Sequence, residues 1–172
     1  MRRLSPLLAL LAIAALTIPV AASPPGKLRT FGTGDVNLTG PVSATLVNAA
    51  GEYSGVYLNS RGRSAKPIGS VSFSFDYSGD TAGGAPRFSI PVSTDRDKAV
   101  EGYAFLDAIN CGNTGTVSTT SASCTVFFGN EVFTNWAAFA AEHPTYRIPQ
   151  AAIPFVIADQ PGTYVITDID LR

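Results

Sequence analysis

Histidine and cysteine, two of the side chains most used in catalysis and metal binding, are nearly absent from this chain. Its 172 residues contain one histidine, His143, and two cysteines. A single imidazole excludes a two-histidine metal site, and any histidine relay would have to depend on His143 alone. His143 directly precedes Pro144, and no G-x-S-x-G motif occurs. The sequence therefore favours a structural role for His143, although a Ser-His-Asp triad assembled in space stays open.

Concentrated positive charge is also lacking. Lysine and arginine total 12, against 13 aspartates and glutamates. Without Arg2 and Arg3, which lie in the N-terminal export signal proposed below, ten basic side chains remain against thirteen acidic ones, a net charge of −3. Nucleic acids and anionic membranes select basic surfaces. The composition therefore argues against both as partners.

Long hydrophobic runs are limited to one, near the N-terminus. Met1-Arg2-Arg3 precedes an apolar run that ends at Pro19, and Val20-Ala21-Ala22 supplies small residues for signal peptidase. The pattern predicts a signal peptide over residues 1–22 and one secreted domain over residues 23–172. A membrane anchor is the competing interpretation, but the run is shorter than the roughly 20 apolar residues of a span. We therefore expect no integral membrane segment after cleavage.

Strands are clearest between Gly69 and Val92. Apolar residues alternate with polar ones at 71–77 and again at 88–92, and a glycine-rich loop, 78–86, joins the two stretches. Period-two alternation predicts a pair of half-buried antiparallel strands.

The remaining chain predicts an all-β fold with one short helix. Further strands are expected at 35–38, 42–47, 53–58, 102–107, 125–128, 153–158 and 162–171, with 23–33 as a loose lead-in and 112–123 as a polar loop. A helix is expected over 135–142, with Thr134 as N-cap. Eight or nine short strands predict an antiparallel β-sandwich. A jelly-roll-like form is preferred because the Cys…Trp…Cys order of immunoglobulin domains is absent.

The two cysteines predict a disulfide. Cys111 and Cys124 bracket a polar loop of twelve residues, and an exported chain with two cysteines most simply pairs them. Cysteine-based catalysis and zinc binding compete poorly, because neither cysteine has a second cysteine or a histidine nearby in sequence.

Two segments resemble secreted jelly-roll carbohydrate-binding modules of bacterial exported proteins. The terminal PGTYVITDIDLR is similar to the closing strand of such modules, and GSVSFSFDYSGD followed by PRFSIPV is similar to their paired middle strands. The resemblance implies a ligand-binding module, often stabilised by calcium.

Aromatic side chains in or beside loops are the candidate ligand contacts, since sugar-binding sandwiches present rings for stacking. These candidates are Tyr53, Tyr57, Tyr103, Trp136 and Tyr146, with Arg147 as a hydrogen-bond donor. Two alternatives compete with this interpretation. Trp136 shares a helix face with Phe139, which favours a core position, and Tyr146 can fold back onto the sandwich while Arg147 pairs with a surface acid.

A charged segment offers a possible calcium site. Asp95, Asp97 and Glu101 supply carboxylates at alternating positions, and Asp107 is a possible fourth ligand. The match to an EF-hand loop fails, and Arg96 and Lys98 place positive charge beside any ion. A solvated, self-neutralising turn is therefore the favoured alternative.

These features predict an exported, non-catalytic module that binds a polysaccharide or a cell-surface glycan, with calcium as a possible cofactor. A secreted hydrolase acting on polysaccharide, an inhibitor and a structural envelope protein remain alternatives.

Overall fold

The computed structural model describes residues 28–58, 66–95, 99–150 and 152–172. The predicted signal peptide lies outside these residues. The strands are β1 (Leu28–Gly32), β2 (Asp35–Gly40), β3 (Ser43–Asn48), β4 (Ser54–Leu58), β5 (Phe73–Gly79), β6 (Arg87–Val92), β7 (Gly102–Asp107), β8 (Thr116–Ser118), β9 (Val126–Phe128), β10 (Glu131–Phe133), β11 (Phe155–Ala158) and β12 (Gly162–Leu171), and the helix is α1 (Trp136–Glu142).

The strands form two antiparallel sheets, which confirms the predicted β-sandwich. Sheet A has seven strands in the order β1-β4-β11-β6-β7-β9-β10, and sheet B has five in the order β2-β3-β12-β5-β8. The consecutive pairs β3 and β4, β5 and β6, and β11 and β12 each place their two members in opposite sheets. The chain thus crosses repeatedly between the two sheets, as in other β-sandwiches, and the jelly-roll form stays a prediction.

The core lies between the two sheets. Phe75 on sheet B and Phe88 on sheet A are fully buried, with ring centroids 4.8 Å apart, and Phe73 also contacts Phe88 at 5.8 Å. The prediction that 71–77 and 88–92 pair with each other is therefore wrong: β5 and β6 face one another across the core. Their connecting loop is long enough to cross the roughly 10 Å between packed sheets.

Strand β6 departs from the half-buried pattern in a second way. Ser89, on the opposite face from Phe88 and Ile90, is only 1% exposed. The solvent-exposed face that the alternating sequence predicts for β6 is therefore absent at Ser89. Ser89 is directly paired with Phe155 on one side and Phe105 on the other, so its small side chain lies between two much larger ones.

Three strands were missed from the sequence, and the helix cap was misplaced. Residues 28–32, expected to be loose, form edge strand β1, because they pair with residues 54–58 of β4. The polar loop contains β8, which adds to β5, and β10 pairs with β9 as a short hairpin. Asn135 rather than Thr134 caps α1: its side chain accepts a hydrogen bond from the Ala138 N–H at 2.9 Å.

Cys111 and Cys124 form the predicted disulfide. Cys111 ends a one-turn 3₁₀ helix, Ile109–Cys111, that follows β7, and Cys124 lies just before β9. The bridge therefore ties the turn after one strand of sheet A to the beginning of its neighbour. None of the helices in the described part of the chain has the length and apolar character needed to cross a membrane.

Candidate functional site

The outer face of sheet A carries a lateral row of side chains that crosses every strand of the sheet. Directly paired positions, taken from one edge to the other, are Arg29, Tyr57, Phe155, Ser89, Phe105, Phe127 and Val132. Neighbouring strands lie about 4.8 Å apart, so the row spans roughly 29 Å. Four of its seven positions are aromatic.

Five rings form a contiguous cluster on this surface, which we call the aromatic face: Phe31, Tyr57, Tyr103, Phe105 and Phe155. The Phe155 ring is central, with its centroid 5.4 Å from Phe31, 5.8 Å from Tyr57 and 5.7 Å from Tyr103. Tyr103 also stacks on Phe105 at 6.4 Å. The rings remain partly open to solvent, and Tyr103 is 36% exposed.

Gly55 is what allows the edge ring to approach the sheet. A Cβ at this position would lie 2.4 Å from Cζ of Phe31 and 2.5 Å from the Val156 carbonyl oxygen. Real Cβ atoms do not come so close, and a glycine within a strand is typical of a site where another group packs against the backbone. The missing side chain of Gly55 therefore sets the position of Phe31.

Two arginines border the aromatic face, but their environments differ. Arg87 lies over Phe105, with Cζ 5.4 Å from the ring centroid, and forms an ion pair with Asp159. Arg29 lies over Tyr57, with Cζ 5.7 Å from the centroid, and it is exposed. Within the described residues, no carboxylate forms an ion pair with Arg29.

A shallow cavity opens at the Arg29 end of the aromatic face. Its volume is about 620 Å³, and its walls include Arg29, Thr30, Tyr57, Tyr103, Ile153 and Phe155. Among its described lining residues, Arg29 is the charged one. Rings, hydroxyl groups and a guanidinium therefore surround one concave space.

The structure brings together two of the predicted ligand contacts, Tyr57 and Tyr103, on either side of Phe155. Phe31, Phe155 and Arg29 were missed by the sequence analysis. Phe31 was missed because β1 was taken for a loose segment. The sequence does show that Tyr57 and Phe155 alternate with core residues on their strands and therefore point outward. This predicts a shared surface only once β4 and β11 are known to be neighbours.

Trp136 lies apart from the aromatic face. It is 4% exposed, and its indole N–H donates to the Ile68 carbonyl at 3.0 Å. Its ring packs against Phe139 and Phe73, with centroids 5.2 Å and 6.1 Å away. These contacts match the core alternative for Trp136, since little of the indole is open to a ligand.

Tyr146 and His143 form a separate stacked pair at the end of α1. Their ring centroids are 4.5 Å apart with nearly parallel planes, and Phe128 and Phe139 pack against Tyr146. Burial raises the pKa of Tyr146 above its ordinary value, and the nearby carboxylates of Glu101 and Glu131 raise it further. The tyrosine therefore packs back onto the sandwich, with His143 in a structural contact.

Arg147 makes backbone hydrogen bonds beside this pair. Its N–H donates to the Ser93 carbonyl at 2.8 Å, and its own carbonyl accepts from the Ser93 N–H at 3.0 Å. It also forms a bridge with Pro67. Arg147 thus joins the segment after α1 to the end of β6.

The four carboxylates of the predicted calcium site are not all brought together. Glu101 accepts hydrogen bonds from the Thr94 N–H at 3.1 Å and the Ser93 hydroxyl at 3.3 Å. Asp107 lies six residues further along β7, about 20 Å away, and accepts from the Asn110 N–H at 2.7 Å. Asp97 lies outside the described residues, within which no group of three or more potential metal ligands occurs. Calcium binding at Asp95, Asp97 and Glu101 stays a prediction.

No family model matches the chain, and no curated protein or solved structure is significantly similar to it. The geometry of the aromatic face is therefore the basis for the proposal below.

Proposed function

We propose that this protein is an exported, non-catalytic module that binds a glycan on its aromatic face. The observation that carries the proposal is the cluster of five rings on the outer surface of sheet A, open to solvent and bordered by arginine. The resemblance of the closing and middle strands to carbohydrate-binding modules supports the same conclusion.

The chemistry of the aromatic face suits sugars. A pyranose ring has an apolar face of C–H groups, which packs against aromatic rings, while its hydroxyl groups need donors and acceptors at the rim. Tyr57, Tyr103 and Thr30 supply hydroxyl groups, and Arg29 supplies charged N–H donors. Rings and polar groups thus alternate over a few ångströms.

The site is also preorganised. Arg29, Tyr57 and Phe155 occupy directly paired positions on three adjacent strands, so the ladder hydrogen bonds fix their spacing. Binding on a rigid sheet loses little conformational entropy compared with binding on a loop. This rigidity favours the aromatic face over the loop positions as the place where a ligand is held.

Retention on immobilised polysaccharides tests the proposal. The chain from Ser23 onward is passed over neutral and acidic polysaccharides, and its affinity is compared with that of Tyr103→Ala and Tyr57→Ala. Removing a central stacking ring should weaken binding by about 1 kcal/mol or more, which is roughly fivefold. Tyr53→Ala is the matched control, because Tyr53 is similarly exposed, at 43%, precedes β4 and has no ring contact with the aromatic face among the described residues.

The alternatives give different results in the same assay. Release of soluble sugars during incubation would indicate a hydrolase. Absence of retention on every polysaccharide would contradict glycan binding and favour an inhibitor or a structural envelope protein. Equal losses for Tyr103→Ala and Tyr53→Ala would place the ligand elsewhere on the molecule.

A further inference from the structure

The geometry points to an acidic sugar, with Arg29 as the residue that recognises its charge. We infer that the cavity at the edge of the aromatic face binds glycan units carrying a carboxylate or a sulfate group. This inference rests on the proposed glycan-binding function and goes further by naming the chemical class of the ligand.

Charge complementarity is the first argument. Arg29 lines the cavity together with Thr30, Tyr57, Tyr103 and Phe155, and no described residue lining this space carries a negative charge. Arg87, which also borders the aromatic face, forms an ion pair with Asp159. The described lining of the cavity therefore carries one positive charge, on a protein whose overall charge is negative. An anionic group placed there meets attraction from Arg29, while Glu101, which follows the lining residue Val100, directs its carboxylate to Ser93 and Thr94.

The state of the Arg29 side chain is the second argument. Its guanidinium lies over the Tyr57 ring, and no carboxylate or carbonyl oxygen of the described residues accepts a hydrogen bond from it. Stacking on a ring orients the planar guanidinium while its N–H donors stay available at the edge. Such a fork matches the two oxygens of a carboxylate or sulfate group. A neutral hydroxyl group would use only part of it.

The angles between the rings are the third argument. Phe155 is inclined to Phe31 by 87°, to Tyr57 by 73° and to Tyr103 by 62°. Rings so inclined form the walls of a recess and do not make a flat platform. The cavity therefore suits one unit of a single chain held between Tyr57 and Tyr103, with its charged substituent directed to Arg29. The flat surface of an insoluble neutral polysaccharide would meet these rings edge-on.

Matched pairs of polymers with the same backbone test this inference. Affinity electrophoresis compares polygalacturonate with its methyl-esterified form, and dextran sulfate with dextran. We expect the carboxylated or the sulfated member of its pair to bind at least tenfold more tightly, and the two pairs distinguish the two sources of charge. Increasing salt should reduce the preference, because it screens the exposed guanidinium.

Three variants assign the preference to its residue. Arg29→Gln should abolish the difference within the pair, while Arg29→Lys should keep part of it, because the charge remains but the planar fork is lost. Arg172→Gln is the control for net charge: Arg172 follows β12 in the other sheet and forms an ion pair with Asp170. This variant should bind like the unchanged protein.

The outcomes separate this inference from the proposed function. Equal binding of charged and neutral polymers, weakened by Tyr103→Ala, would overturn the acidic-sugar inference and leave glycan binding intact. The same conclusion would follow if Arg29→Gln kept the preference. Binding of polyglutamate as tight as that of polygalacturonate would show recognition of charge without sugar and would also overturn it. Absence of binding to all four polysaccharides would overturn both proposals.

Discussion

Replacing Gly55 by alanine tests whether the close approach of β1 to β4 and β11 holds the aromatic face in place. The added Cβ would lie 2.4 Å from Phe31 Cζ and 2.5 Å from the Val156 carbonyl oxygen. The ring can rotate aside, but the carbonyl belongs to the backbone of β11, which pairs with β4. Relief of this contact therefore requires the strands to separate locally.

The expected cost follows from this geometry. Overpacking of a well-packed site typically destabilises by about 1–3 kcal/mol. For a chain of this size, each kcal/mol lowers Tm by roughly 2–4 °C, so we expect Gly55→Ala to lower Tm by about 2–12 °C. Because Phe31 contacts Tyr57 at 4.4 Å, its displacement should also weaken ligand binding. Urea unfolding followed by tyrosine and tryptophan fluorescence measures the free energy of unfolding.

A double-mutant cycle separates the two contacts. In a Phe31→Ala background the contact with the ring is gone, and only the Val156 carbonyl remains, so the cost of Gly55→Ala should become smaller without vanishing. Gly69→Ala is the matched control, because a Cβ there would meet only Cβ of Ala140 at 3.6 Å. It should be neutral or slightly stabilising. A change below about 0.5 kcal/mol for Gly55→Ala would refute the argument from close packing.

Two further predictions concern stability. Labelling of free thiols after denaturation without reductant should find none, and two reactive thiols per chain would contradict the pairing. Replacing both Cys111 and Cys124 by serine should lower the free energy of unfolding by about 3 kcal/mol, since the bridge closes a short loop in the unfolded chain. Burial raises the pKa of Tyr146 and of Tyr164, so their contribution to stability is complete below the tyrosine pKa of the unfolded chain, about 10, and is lost as the pH rises through the higher folded values. Tyr146→Phe should therefore lose less stability than the unchanged protein between roughly pH 9 and pH 12. An unchanged pH profile would contradict the role of burial.

Part of the aromatic face could be predicted from the sequence, because some of its features depend only on residues close together in the chain. Tyr57 and Tyr103 were predicted as ligand contacts from their positions beside polar or charged segments. Alternation with period two placed Phe73, Phe75 and Phe88 in the core, since successive side chains of a strand point to opposite faces. The pairing of Cys111 with Cys124 followed from their number and the predicted export. Each of these inferences needs only neighbours in sequence.

The tertiary structure alone decided which strands are neighbours. Phe31, Tyr57 and Phe155 lie far apart in the chain, and they meet because β1, β4 and β11 pair in one sheet. Pairing between strands so far apart in sequence depends on which surfaces the whole fold buries together. A local sequence pattern does not predict this. The same reason explains why β5 and β6 face each other across the core instead of pairing, and why Ser89 is buried. The sequence thus determined which side chains face outward on a strand, while the strand order decided that five aromatic rings and Arg29 share one surface.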